Sequence, residues 1–128
     1  MTTHFVSGHL DLTMDEFREF YIPRLATAIA AEGAFVVGDA RGCDLMTQLY
    51  LRDERALRVQ VFHMFESSRN NIGGFPMVGG FDSDNARDAA MTAHSDTDIA
   101  WVRPGRKNSG TAANLARRYF HATDGSNR

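Results

Sequence analysis

The stretch AFVVGDARGCD, from Ala34 to Asp44, decides the architecture of this chain. Ala34 to Val37 is an apolar run that reads as a short buried strand ending at Gly38. The turn Asp39-Ala40-Arg41-Gly42 then leads into a helix from about Cys43 to Arg55, with Leu45, Met46, Leu49 and Tyr50 spaced for its inner face. A strand, a glycine turn and a helix in direct succession are the building unit of a parallel α/β sheet.

The same unit recurs on both sides. His4 to Ser7 reads as a buried strand running into Gly8. Thr13 stands at a helix N-cap, Glu16 completes a capping box, and Leu12 and Phe17 occupy the positions of a hydrophobic staple. Met14, Phe17, Tyr21, Leu25, Ala28 and Ile29 follow a helical period. Pro23 interrupts it, so a kink or two consecutive helices are expected, with Gly33 as the C-terminal cap. Leu57 to Phe65 reads as a third strand. The stretch after it, ESSRNNIGGFPMVGG, has no periodicity and is expected to be one long loop. Structureless loops of about 15 residues are uncommon in compact domains. Its reading stays open between a mobile lid over a pocket and a plain surface excursion. Ser83 or Asp84 caps a helix running to about His94, Asp98 to Val102 is a fourth strand, and RPGRKNSGT opens a last helix over about Ala112 to Phe120.

This alternation implies an α/β fold, a Rossmann-like three-layer sandwich with a mostly parallel sheet of four or five strands. Residues 1–121 are expected to form its single domain and residues 122–128 a disordered tail. No apolar run approaches the roughly 20 residues that span a bilayer, and MTTHFVSGHL lacks the regions of a signal peptide. Cytoplasm is the expected compartment, with no membrane partner. A formal charge of −2 argues against a nucleic-acid-coating protein. Cys43 is the single cysteine, and His4, His9, His63, His94 and His121 show no metal-ligand spacing. Neither metal nor cofactor is expected.

In parallel α/β sheets, ligands sit outside the carboxyl ends of the strands. Glycines gather at three such ends: Gly8, Gly38 with Gly42, and Gly105 with Gly110. In the Gly38–Asp44 turn, the glycines permit close backbone approach and the helix start presents free N–H groups to an anion. Arg41 either bonds a phosphate or pairs with Asp39 or Asp44, and Asp44 either caps the helix or accepts bonds from a ribose hydroxyl. Ser109, Gly110 and Thr111 open the final helix after a basic turn containing Arg103, Arg106 and Lys107, a clustering that calls for something negative or for solvent. Arg87 opposes the dipole in the first turn of its helix, which favours a ligand or an acidic partner such as Asp84. His9 is either a proton donor or an ordinary loop histidine. Cys43 is either a helix-start thiolate or a small buried residue.

Taken in order, VSGH (Val6–His9), VVGDARGCD (Val36–Asp44), ARDAAM (Ala86–Met91) and DIAWVRPGRKNSGT (Asp98–Thr111) resemble the SLOG superfamily of Rossmann-like domains. That group includes the Lonely Guy hydrolases, the DprA domain and small stand-alone nucleotide-sensing proteins. The resemblance implies a nucleotide-like ligand held by Ser7, Gly8, His9, the turn Gly38, Asp39, Ala40, Arg41, Gly42 and Asp44, then Arg87, Ser109, Gly110 and Thr111. It also implies homo-oligomerisation. Lonely Guy hydrolases carry a glutamate where this chain has Asn114, which favours a sensing or sequestering module over an N-glycoside hydrolase or transferase. For the enzymatic alternative, Asp39, Asp44 and Glu66 are the candidate carboxylates. Binding of single-stranded DNA, by analogy with DprA, is the third reading, and the acidic balance argues against it.

Overall fold

Five short strands make one sheet in which every neighbouring pair is parallel: β1 (Thr3–Ser7), β2 (Ala34–Gly38), β3 (Val59–Met64), β4 (Met77–Phe81) and β5 (Thr97–Ala100). Their spatial order is β4-β3-β2-β1-β5. This computed structural model describes the backbone of residues 1–126 and side chains through residue 119. Alternation along each strand builds two cores, as expected of a sheet buried on both faces. Val6, Val37, Val61 and Ile99 face the layer formed by α1 (Met14–Phe20), α2 (Ile22–Ala30) and α3 (Cys43–Asp53). Phe5, Val36 and Phe62 face the other way, where α4 (Asp84–Ala93) inserts Met91 and α5 (Gly110–Ser126) packs beside it. The chain is a Rossmann-like three-layer sandwich. No helix among the described residues is long and apolar enough to cross a membrane.

Local signals explain most boundaries. Thr13 Oγ1 accepts the Glu16 N–H at 3.1 Å while Glu16 Oε1 accepts the Thr13 N–H at 2.9 Å, a closed capping box. Pro23 lies in the first turn of α2, where its missing N–H costs nothing, so the chain forms two consecutive helices. Met14, expected inside, is exposed.

Three differences from expectation are the largest. Gly33 is not the left-handed cap of α2; Glu32 holds that conformation at φ 59°, with Glu32 N–H bonded to the Ile29 carbonyl and Gly33 N–H to that of Ala28. Gly33 instead makes room for the His4 ring, which a Cβ would meet at 3.0 Å. Because a left-handed non-glycine residue is strained by about 1 kcal/mol, Glu32→Gly is expected to stabilise the domain by that order in urea unfolding. Secondly, the presumed long loop contains β4. Gly79 and Gly80 hid it, since glycine weakens strand propensity. Here Gly79 leaves space for His63, and Gly80 takes φ +90° where the β3–β4 register shifts. Thirdly, α5 continues through Ser126, past the expected end near Phe120 and into the expected tail, because no helix breaker precedes Gly125. The last two residues of that tail lie outside the described residues. The strand expected over Leu57 to Phe65 is trimmed to β3, with Leu57 and Phe65 exposed. The one expected over Asp98 to Val102 lies slightly earlier, as β5.

Candidate functional site

The chain winds outward from β1 through β2 and β3 to β4, then returns past β1 to β5. Connections from β1 and β5 therefore leave the sheet in opposite directions, which opens a crevice at their carboxyl ends. A cavity of about 530 Å³ lies there. It is lined by Ser7 at the end of β1 with Gly8 and His9 beyond it, by Ala40, Arg41 and Asp44 after β2, and by Ser109, Gly110, Thr111 and Asn114 at the start of α5. Arg87, Asp88 and Met91 reach it from α4. Gly38, Asp39 and Gly42 do not line it, and Glu66 is exposed elsewhere.

The glycines of the β2–α3 turn serve the protein's own packing. Gly42 sits at φ +71°, and a Cβ on it would strike the carbonyls of His9 and Leu10. A Cβ on Gly38 would lie 2.5 Å from Asp44 Oδ2 and 3.2 Å from the Arg87 guanidinium carbon. Gly110 differs, since nothing lies within 4 Å of its open side.

Asp39 is 1% exposed and acts as an anchor rather than as a group facing a ligand. It accepts the Arg69 N–H and Arg69 Nη2, each at 2.7 Å, and Arg87 Nη1 at 2.8 Å. Burial alone would raise its carboxyl, yet the bonds from Arg69 and the charges of Arg69 and Arg87 hold it below the ordinary range. Arg87 also meets Asp84 at 3.2 Å and Asp88 at 2.9 Å. Its unfavourable helix position is thus offset by three carboxylates, and it positions the site.

Asp44 is the carboxyl that burial leaves differently. Burial pushes it up to about 7 against the Arg87 charge and the Ala40 N–H, with Asp88 and Asp39 adding to the rise. Burial, then the neighbouring Asp44 charge, also raises the Cys43 thiol, so the thiolate reading is overturned.

His9 accepts the Arg103 N–H through Nε2 at 2.8 Å, which leaves the neutral ring's proton on Nδ1. Burial, then the charges of Arg103 and Arg106, lower its pKa. Its observed role is to hold the β5–α5 turn. The basic turn is matched from within: Arg103 meets Glu16 at 2.6 Å and Asp11 at 3.1 Å, and Arg106 meets Asp11 at 2.7 Å. The Arg103 bond, with the Thr13 N–H, brings Glu16 down to about 2.

Two features remain available to a ligand. Ser109 Oγ caps α5 by accepting the Ala112 N–H at 3.2 Å, while the N–H groups of Gly110 and Thr111 meet no acceptor among the described residues. Arg41, exposed on the cavity wall, has no ion pair among the described residues.

Gln48 and Arg69 escaped the sequence reading. Gln48 is 0% exposed; its amide donates to the carbonyls of Gly38 at 3.0 Å and Asn70 at 3.1 Å, and accepts the Ile72 N–H at 3.2 Å. With the Arg69–Asp39 bonds, this fastens the loop before β4 to the end of β2, and Arg69 becomes part of the cavity wall. The inner face of α3 is accordingly Cys43, Asp44, Thr47, Gln48 and Leu51, about half a turn round the helix from the expected apolar set. The available signal was Gln48 itself, four residues after Asp44 and so on the same helix face.

A scan against protein-family models found no match, and searches of curated proteins and of solved structures found none either.

Proposed function

We propose that the crevice binds a nucleotide or nucleotide-derived small molecule, with its phosphate at the start of α5 beside Arg41. The observation that carries this reading is the pair of N–H groups on Gly110 and Thr111, next to open space and in the same cavity as Arg41, all without a partner among the described residues. The nucleotide and a homo-oligomeric state are what the SLOG resemblance implies, and light scattering tests the latter. Arg41→Ala tests the phosphate assignment. Arg41 is exposed, so its removal is expected to leave the melting temperature unchanged. The affinity for nucleoside monophosphates should fall about tenfold or more, the worth of a charge-assisted bond. Unchanged affinity in calorimetric titration counts against the assignment.

A second reading, an N-glycoside hydrolase or transferase acting on a nucleoside monophosphate, is favoured by Asp44. Of the candidate carboxylates it alone lines the cavity, and it holds its proton close to neutrality. Asp39 is held by two arginines and Glu66 lies outside the cavity. Chromatography for free base separates the readings: tight binding with no base released rejects the enzyme.

A further inference from the structure

We infer that the floor of the crevice, made by the Ser7 hydroxyl and the Asp44 carboxyl, receives the vicinal hydroxyls of a ribose, so that ribonucleotides are taken in preference to 2′-deoxyribonucleotides. This inference rests on the nucleotide reading above.

Strand register brings the two groups together. Val6 pairs with Val37, so Ser7 and Gly38 follow as neighbours at the carboxyl edge. Phe5 and Val36, two residues before them, both face α4, and strand alternation puts Ser7 and the open side of Gly38 on that same face. The space a Gly38 side chain would need is taken by the Asp44 carboxyl, with the Arg87 guanidinium behind it. Asp44 is therefore drawn in beside Ser7.

Both groups are left with bonding capacity. Ser7 is 6% exposed and lines the cavity, yet its Oγ has no hydrogen-bond partner among the described residues. A buried hydroxyl without a partner is a penalty that a ligand group removes. The Ser7 carbonyl, by contrast, is satisfied by the Tyr21 hydroxyl at 2.7 Å. The orphan is thus the side chain alone, free to turn about one bond. Asp44 accepts the Ala40 N–H at Oδ2, and its Oδ1 takes no hydrogen bond among the described residues.

The chemistry favours hydroxyl groups over a second phosphate. Beside Asp44 the cavity wall offers Asp88 and an Arg87 guanidinium already engaged by carboxylates, which leaves no free cation for an anion there, whereas the N–H groups of Gly110 and Thr111 attract one. A serine hydroxyl and a carboxyl close to its titration point each donate or accept, as sugar hydroxyls do. A pentose 5-phosphate presents these two demands at its opposite ends.

The test titrates the four common ribonucleoside 5′-monophosphates and their four 2′-deoxy counterparts by calorimetry, with wild type and Ser7→Ala. For the best-bound base, the ribo form is expected to bind about tenfold or more tightly, because a site built to bond a hydroxyl rejects the analogue that lacks it. In Ser7→Ala the preference should shrink severalfold while deoxy affinity holds. Equal affinity for both sugars in the wild type overturns the inference and leaves the nucleotide reading standing. Binding of none of the eight overturns the nucleotide reading itself. Without ligand, Ser7→Ala should melt at or above the wild-type temperature, since it deletes an unpartnered hydroxyl; a clearly lower temperature shows that the hydroxyl is paired in the free protein and overturns the proposal.

Discussion

Asp39→Ala is expected to cost about 3–5 kcal/mol of unfolding free energy, the typical penalty for removing one partner of a buried ion pair. Its carboxylate is the point where two arginines from distant segments converge, one of them with a side chain only 7% exposed. Without it, Arg87 keeps Asp84 and Asp88 but loses its most buried partner, and the Arg69 backbone N–H loses its acceptor. The loop before β4 then keeps the bonds of Gln48 and Asn70 and the exposed Arg69–Asp84 ion pair at 3.0 Å. Hydrogen exchange should accordingly show faster exchange around Arg69 in the variant, and urea unfolding should give the energy. A loss below about 1 kcal/mol is the scale of an exposed ion pair, and shows that Asp84 and Asp88 suffice to hold the buried guanidinium.

Asp44→Asn is expected to change how stability depends on pH. The folded Asp44 carboxyl lies at about 7, against 3.8 for an ordinary aspartate. Between those values the native state keeps a proton that the unfolded chain has released, so stability falls as pH rises through this window. At 1.36 kcal/mol per unit, the whole fall is on the order of 4 kcal/mol. The groups around Asp44 that set its balance are Arg87, Asp88 and Asp39. Asparagine keeps an oxygen for the Ala40 N–H and carries no titratable proton, so the slope is lost. The variant should match the wild type below about pH 4, exceed it by about 1.6 kcal/mol at pH 5 and by about 4 kcal/mol at pH 8, measured as the difference in unfolding free energy at each pH. Taking the difference removes the opposite contributions of Asp39 and Glu16, whose depressed values protect the fold at neutral pH and fail in acid. A constant difference means that Arg87 keeps Asp44 ionised throughout.

What the residues announced in advance were events within a few positions of one another. The capping box at Thr13, the break at Pro23 and the strand-turn-helix around Gly38 are local, and each is present. The switch-point location of the cavity followed from the order of such units. What stayed hidden depends on partners far along the chain. Asp39 looked like a ligand-facing carboxylate because nothing near it reveals that Arg69 and Arg87 will arrive there. Gln48 drew no notice because helical periodicity counts apolar groups, and this helix turns amide and hydroxyl groups inward. β4 was concealed by its glycines, which exist to accommodate His63 and a shifted register.

The Tyr21 hydroxyl donates to the Ser7 carbonyl and accepts the Trp101 N–H at 3.0 Å, from a ring that is wholly enclosed. It works as a keystone between the ends of β1 and β5, the two lips of the crevice. Two buried bonds through one hydroxyl hold these lips at a fixed spacing in this structure. A ligand of the proposed kind would meet a slot already cut to shape, so little of its binding energy would be diverted into rearranging the protein. Its rate of entry would then be governed by diffusion and by the field of the arginines that line the cavity.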